Sequence, residues 1–105
     1  MNIELSDRFK KEVKRLSKKY RSFTGDIIEL IESLKTNPFQ GVPLRKGAFK
    51  IRMKITAKRK GKSGGARVIS VVFIEEDELY LLTVYDKSER ENITDKELDD
   101  LINNI

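Results

Sequence analysis

The stretch FKIRMKITAKRKGKSGGARVISVVFIEEDELYLLTVY at residues 49–85 decides the fold. Its apolar residues at positions 49, 51, 53 and 55 alternate with Lys50, Arg52 and Lys54. A period of two is typical of a strand that buries one face, so this strand presents three cations in a row on its other face. KRKGKSGGA at 58–66 predicts a flexible hairpin loop, and ARVISVVFI at 66–74 and LYLLTVY at 79–85 predict two further strands. We therefore expect an antiparallel meander.

Helices are predicted on both sides of this meander. Upstream, Ser6 and Asp7 are typical of a helix start, and apolar residues at positions 9, 13, 16 and 20 predict a helix over residues 7–20. A second helix is predicted to begin at Thr24 and to end before Pro38, which forces the preceding residue out of helical geometry. Downstream, Thr94 and Glu97 match a capping box, and positions 98, 101, 102 and 105 share one helical face. Residues 1–5 are compatible with a short strand.

Together these elements predict an α+β fold. An N-terminal helical hairpin should pack on one face of a small, mostly antiparallel sheet of three to four strands, with a short C-terminal helix and the other sheet face partly open. A chain of 105 residues is long enough to bury one core but not two. We therefore expect a single domain over residues 1–105.

Charge is distributed unevenly along the chain. Residues 35–74 contain eleven Lys or Arg and no acidic residue, whereas residues 75–105 contain eleven acidic residues and three basic ones. A contiguous basic segment of this kind predicts a polyanionic partner. The first thirty residues have no apolar run typical of a secretion signal or membrane span, so we expect a cytoplasmic protein without a membrane partner.

The chain contains neither His nor Cys, and this restricts its chemistry. A zinc site of the usual kind, a Ser-His-Asp triad, a thiol nucleophile and a histidine acid–base pair are all excluded. The acidic residues cluster away from the basic segment, so no metal site and no cofactor are expected there. Any catalysis must depend on Lys, Arg, Tyr, carboxylates or a group borrowed from a partner.

The order of elements resembles the RelE/ParE superfamily of bacterial toxins. The motifs K-G-K-x-G-G-x-R-V-I at 60–69 and L-L-T-V-Y-x-K at 81–87, which follow the basic strand, are similar to the RelE and HigB branch. That resemblance implies a toxin of a type II toxin–antitoxin system, held inactive by a cognate antitoxin. It implies ribosome-dependent, metal-independent cleavage of mRNA, with the substrate's 2′-hydroxyl as nucleophile.

The same resemblance implies the site residues. Lys50 and Arg52 match the family's two basic positions on the catalytic strand, Arg67 matches the arginine that opens the next strand, and Lys87 falls at a position that is often basic. Ile93 stands near the position of a tyrosine used by the best-known branch, so Tyr85 is the nearest substitute. Further RNA contacts are expected from Lys54, Lys58, Arg59, Lys60 and Lys62.

Three other interpretations of these residues stay open at this stage. Lys50, Arg52 and Lys54 are also typical of a solvent-exposed edge strand, where cations prevent aggregation with another chain. A ParE-like protein would share the fold and poison DNA gyrase by protein contact, without needing Lys50, Arg52 and Arg67. The charge pattern alone would also suit a noncatalytic RNA-binding module.

Overall fold

The computed structural model describes all 105 residues, as three helices and one five-stranded sheet. The helices are α1 (Asp7–Lys19), α2 (Phe23–Thr36) and α3 (Asp95–Asn103). The strands are β1 (Asn2–Leu5), β2 (Val42–Pro43), β3 (Ala48–Met53), β4 (Ala66–Phe73) and β5 (Glu78–Asp86), in the sheet order β1-β5-β4-β3-β2. The α+β class and the three predicted helices are confirmed. None of the helices is long and apolar enough to span a lipid bilayer.

Side-chain caps begin α1 and α3 where the sequence predicts them. The Ser6 hydroxyl accepts a hydrogen bond from the backbone N–H of Phe9 at 3.0 Å. The Thr94 hydroxyl accepts one from the backbone N–H of Glu97 at 3.1 Å. Each cap satisfies a backbone donor that the first helical turn leaves without a partner.

The sheet is an antiparallel β3-β4-β5 meander extended by a short strand at each edge. β1 pairs with β5 in parallel, and the two residues of β2 pair with Phe49 and Lys50 of β3. The sheet therefore has five strands rather than three to four. β2 was missed because two residues are too few to establish a period of two.

Helices pack against both faces of the sheet. The α1–α2 hairpin buries Phe9, Leu16 and Phe23 against one face, together with Ile51 and Val68 of the sheet. On the other face, Leu98 of α3 is 2% exposed and packs in a second cluster with residues that include Ile69 and Tyr85. Because α3 is amphipathic, it buries its apolar side on this second face, while Arg52 on the same face stays exposed, so the face is partly open as predicted.

The basic loop joins the neighbouring antiparallel strands β3 and β4, as the predicted hairpin requires. It contains two short 3₁₀ turns, Thr56–Lys58 and Lys62–Gly64. Thr56 is held by Asp26 of α2, which accepts its backbone N–H at 2.9 Å and its hydroxyl at 2.6 Å. The loop ends at Gly65, which packs directly on the backbone of Met53, Lys54 and Ile55.

The tight packing of Gly65 gives a direct test of this loop geometry. A Cβ atom at Gly65 would lie 2.2 Å from the Met53 carbonyl oxygen, so the β3 backbone would have to move. We expect Gly65→Ala to lower the free energy of unfolding by about 1–3 kcal/mol, the usual cost of overpacking. A Cβ atom at Gly61 would meet no other atom within 4 Å, so Gly61→Ala is the matched control. Urea denaturation of both variants tests this, and equal stability of the two would contradict the packing described.

Candidate functional site

Three of the predicted site residues lie in one row across the meander. Arg52 of β3 pairs directly with Arg67 of β4, and Arg67 pairs with Tyr85 of β5. Residues paired in this way project from the same face of a sheet. Lys50 lies on the same face, opposite Ile69. The structure therefore brings Lys50, Arg52, Arg67 and Tyr85 together on the face that α3 partly covers.

Arg67 is the central residue of this row and is only 4% exposed. Its Nη1 donates to the carbonyl oxygens of Lys62 at 3.0 Å and Ala66 at 3.1 Å, and its Nη2 donates to that of Ser63 at 3.2 Å. A guanidinium carries five N–H donors, so two remain for a ligand. Burial lowers the pKa of Arg67, and the nearby charge of Arg52 lowers it further. Arg67 is thus a fixed cation whose orientation is set by the loop.

Tyr85 is 5% exposed, and its hydroxyl is buried without a hydrogen-bond partner. Burial raises the pKa of this phenol, while the positive charges of Arg90 and Arg67 act in the opposite direction. The Arg90 guanidinium lies 5.4 Å from the centre of the Tyr85 ring, in a cation–π contact. Tyr85 therefore holds its proton at neutral pH, which suits a proton donor better than a proton acceptor.

The other predicted catalytic cations lie at the border of the row. The Lys50 ammonium donates to Asn92 Oδ1 at 3.2 Å. Arg52 is exposed and makes no side-chain hydrogen bond or ion pair. Lys87 is also exposed, and its backbone N–H donates to the Gly65 carbonyl oxygen at 3.0 Å, which places it beside the end of the basic loop.

The loop cations divide into two groups. Four of the five residues expected to contact RNA are exposed and have no acidic partner, namely Lys54, Arg59, Lys60 and Lys62. Lys58 differs, because its ammonium donates to the buried carboxylate of Asp86 at 2.6 Å and its side chain is only 11% exposed. The Lys58 ammonium is therefore bound inside the protein, and Lys58 does not belong to the surface expected to contact RNA.

The Asp86 carboxylate accepts hydrogen bonds from three parts of the chain. Besides Lys58, it accepts the hydroxyl of Tyr20 at 2.5 Å and both the backbone N–H and the hydroxyl of Ser88 at 2.9 and 2.8 Å. Burial by itself would raise the pKa of Asp86, but the hydrogen bonds from Lys58, Tyr20 and Ser88 outweigh it and hold this pKa far below its ordinary value. Asp86 is thus a buried anion at neutral pH.

Sequence reasoning missed Arg90, Asn92 and Asp86. All three lie in the acidic C-terminal part of the chain, outside the basic segment and without apolar periodicity. Arg90 donates to both carboxylate oxygens of Glu97 on α3, and Glu97 also accepts Arg8 of α1 at 2.9 Å. No local signal in the sequence distinguishes Asn92 and Asp86, because their partners Lys50, Lys58 and Tyr20 lie in distant parts of the chain.

Comparison with known proteins identifies the family. The model of the family described as RelE toxin of the RelE/RelB toxin–antitoxin system matches residues 8–103. The chain therefore belongs to the RelE toxin family, and this membership implies an antitoxin as its partner. No curated protein sequence matches the chain.

A solved structure supports the same fold. An arginine double mutant of E. coli toxin RelE in the free state superimposes with a TM-score of 0.63 and 16% sequence identity, over 99% of this chain and 96% of that one. At this identity the likeness concerns the fold, which is the RelE arrangement of helices and sheet. The predicted resemblance is confirmed at the level of fold and family.

The Glu97 carboxylate should make stability depend on pH in a defined window. Hydrogen bonds from Arg90, together with that from Arg8, outweigh burial and lower the pKa of Glu97 from 4.5 to about 2. A carboxyl group whose pKa is lower in the folded state stabilises the fold above its unfolded pKa, and this contribution is lost as pH falls towards the folded pKa. We expect Glu97→Gln to be less stable than wild type at pH 6, with the difference shrinking between pH 4.5 and about 2.

Thermal or urea denaturation across this pH range measures the difference. Glu91→Gln is the control, since Glu91 is exposed and forms no ion pair. A Glu97→Gln deficit that stays constant down to pH 2 would mean that the Glu97 charge does not stabilise the fold.

Proposed function

We propose that this toxin is an mRNA endoribonuclease that acts on the ribosome and thereby inhibits translation. The observation that carries the proposal is the row of Arg52, Arg67 and Tyr85 across three adjacent strands, with Lys50 beside it. Two or three cations next to a phenol are what cleavage by an internal 2′-hydroxyl needs when histidine is absent.

The proposed reaction requires no metal or cofactor. The ribose 2′-oxygen attacks the adjacent phosphorus, the bond from phosphorus to the 5′-oxygen breaks, and the products are a 2′,3′-cyclic phosphate and a 5′-hydroxyl end. One proton leaves the 2′-hydroxyl and one reaches the departing 5′-oxygen. Negative charge accumulates on the phosphate oxygens in the transition state, where fixed cations stabilise it most.

Each residue of the site has a proposed role. Arg67 and Lys87 stabilise the phosphate charge, because Arg67 retains two free donors and Lys87 is exposed nearby. Lys50 and Arg52 position the substrate or transfer protons. Tyr85 holds its proton at neutral pH, so we assign it to protonation of the leaving oxygen rather than to the role of base. Its hydroxyl is buried in the free protein, so its contact with RNA requires a local rearrangement around Tyr85.

Dependence on the ribosome follows from the composition of this site. No side chain in the row is a strong base at neutral pH, so removal of the 2′-hydroxyl proton relies on Lys50 or on a group that the ribosome supplies. Lysines and arginines also hold RNA mainly through charge, without fixing the in-line geometry that the attack requires. A partner that orients the mRNA supplies this geometry. The exposed cations Lys54, Arg59, Lys60 and Lys62 would hold the RNA backbone in that complex.

The first test compares free and ribosome-bound mRNA. We expect the purified protein to leave naked RNA largely intact, with or without EDTA, and to cut mRNA on translating ribosomes in the Mg²⁺-containing buffer that keeps them assembled, because only the ribosome orients the substrate. Primer extension maps the cuts. A DNA gyrase supercoiling assay run in parallel distinguishes the ParE-like alternative, and RNA binding without cleavage in either assay would indicate a noncatalytic module. Efficient cleavage of naked RNA would refute the requirement for the ribosome.

Arg67 is the sharpest single-residue test. We expect Arg67→Ala to lower the single-turnover cleavage rate on saturating ribosomes by about a hundredfold or more, the usual effect of removing one donor that stabilises transition-state charge. Arg67→Lys should recover only part of the rate, since one ammonium cannot bind the loop carbonyls and a phosphate in the same geometry. When each protein is expressed in cells, growth arrest should be strongest for wild type, weaker for Arg67→Lys and weakest for Arg67→Ala.

Lys60→Ala is the matched control for loss of a cation from the same region. Lys60 is exposed and unpaired, so its removal should weaken ribosome binding and reduce the salt dependence of that binding, while changing the rate at saturation much less. Circular dichroism confirms that each variant is folded. A folded Arg67→Ala protein with full toxicity would remove Arg67 from the site.

A further inference from the structure

The buried carboxylate of Asp86 has no part in the proposed chemistry, although it lies next to Lys87 and one residue beyond Tyr85. It is 0% exposed and receives hydrogen bonds from Lys58, Tyr20 and Ser88. Transferring a charge into a protein interior is costly unless hydrogen bonds and an opposite charge compensate for it. A valine or leucine would fill a buried strand position without that cost, so the role of the carboxylate lies in what it holds.

Asp86 holds the basic loop closed. The same Lys58 ammonium that pairs with Asp86 also donates to the Gly64 carbonyl oxygen at 3.1 Å, which joins the start of the loop to its end. The loop carbonyls of Lys62 and Ser63 in turn accept the guanidinium of Arg67. A continuous series of contacts thus runs from Asp86 through Lys58 and Gly64 to the acceptors that orient Arg67.

We propose that Asp86 is a positioning residue, which anchors the 58–65 loop through Lys58 and thereby holds Arg67 in the orientation used for cleavage. This inference rests on the proposed endoribonuclease function for its catalytic consequence. Its structural half, the anchoring of the loop, stands on the contacts alone.

The composition of the loop explains why an anchor is needed. Lys58, Arg59, Lys60 and Lys62 place four cations within five residues, and these repel one another. Gly61, Gly64 and Gly65 add backbone freedom, which favours an open ensemble. Asp86 is the only acidic side chain that bonds to this loop between residues 58 and 65, so a single carboxylate offsets both effects.

The test uses the full-length protein with substitutions on both sides of the ion pair. Asp86→Asn keeps the shape and removes the charge, while Lys58→Met removes the ammonium but leaves Asp86 its bonds to Tyr20 and Ser88. Lys58→Arg is the conservative variant, since an arginine can still pair with Asp86. Glu12→Gln is the control, because Glu12 is also a carboxylate that binds β5, through the Thr83 hydroxyl at 2.7 Å and the Val84 N–H at 3.1 Å, but it makes no contact with the loop.

Two quantities are measured for each folded variant. Amide hydrogen exchange of residues 59–65 reports whether the loop is anchored, and the single-turnover cleavage rate on saturating ribosomes reports whether Arg67 is positioned. We expect Asp86→Asn and Lys58→Met to raise loop exchange and to lower the rate at saturation at least tenfold, with little change in the ribosome concentration that gives half-saturation. Lys58→Arg should recover most of both, and Glu12→Gln should change neither.

The possible failures are distinguishable. Unchanged loop exchange in Lys58→Met would overturn the anchoring itself, even if Asp86→Asn failed to fold. Faster exchange with an unchanged rate would overturn the positioning role, as would a rate loss of the same size in Glu12→Gln. If the wild-type protein cleaves no mRNA on ribosomes, the proposed function fails, and the exchange data alone decide whether Asp86 anchors the loop.

Discussion

The pairing of β4 between β3 and β5 is the constraint on which the rest of the structure depends. It places Arg52, Arg67 and Tyr85 side by side, although they are up to 33 positions apart in the chain, between residues 52 and 85. The residues on β4 are buried on both faces over most of the strand, so a shift in register would expose apolar surface and bury different side chains. The apolar core therefore determines which polar groups meet in the site.

A buried arginine at the centre of this row is compatible with stability only because the loop supplies acceptors for it. Three carbonyl oxygens from residues 62, 63 and 66 bind Arg67, and the loop that carries two of them is itself held through Lys58 and Asp86. The site is thus supported by interactions that are not themselves exposed to substrate. Preorganised donors of this kind lose little free energy to reorganisation when charge develops on a bound phosphate.

Local patterns in the sequence were enough to predict the meander, the three helices and the shared face of Lys50 and Arg52. The same patterns could not show that Arg67 is buried, because β4 is apolar on both faces and its alternation carries no information about exposure. They also assigned Lys58 to the RNA-binding surface, since nothing near it in the chain is acidic. Its partner Asp86 lies 28 positions away, and the Tyr20 hydroxyl that shares this carboxylate lies 66 positions from it. Contacts of this range depend on the tertiary fold.

The separation of charge along the sequence acquires a different meaning in the folded protein. Acidic residues of the C-terminal segment pair mainly with cations outside the proposed site: Glu89 with Arg15 and Lys19, Asp99 with Arg45 and Lys46, and Glu97 with Arg8. Several exposed cations form no ion pair. On and around the basic loop they are Arg52, Lys54, Arg59, Lys60, Lys62 and Lys87, and on the outer surface of α1 they are Lys10, Lys11, Lys14 and Lys18. These ion pairs are mostly exposed, so each one contributes little to stability. Their larger effect is on the electrostatic field, because neutralising the paired cations leaves much of the remaining positive potential near the basic loop and along α1. By neutralising cations elsewhere, the acidic segment therefore restricts the unpaired positive charge to a smaller part of the protein surface.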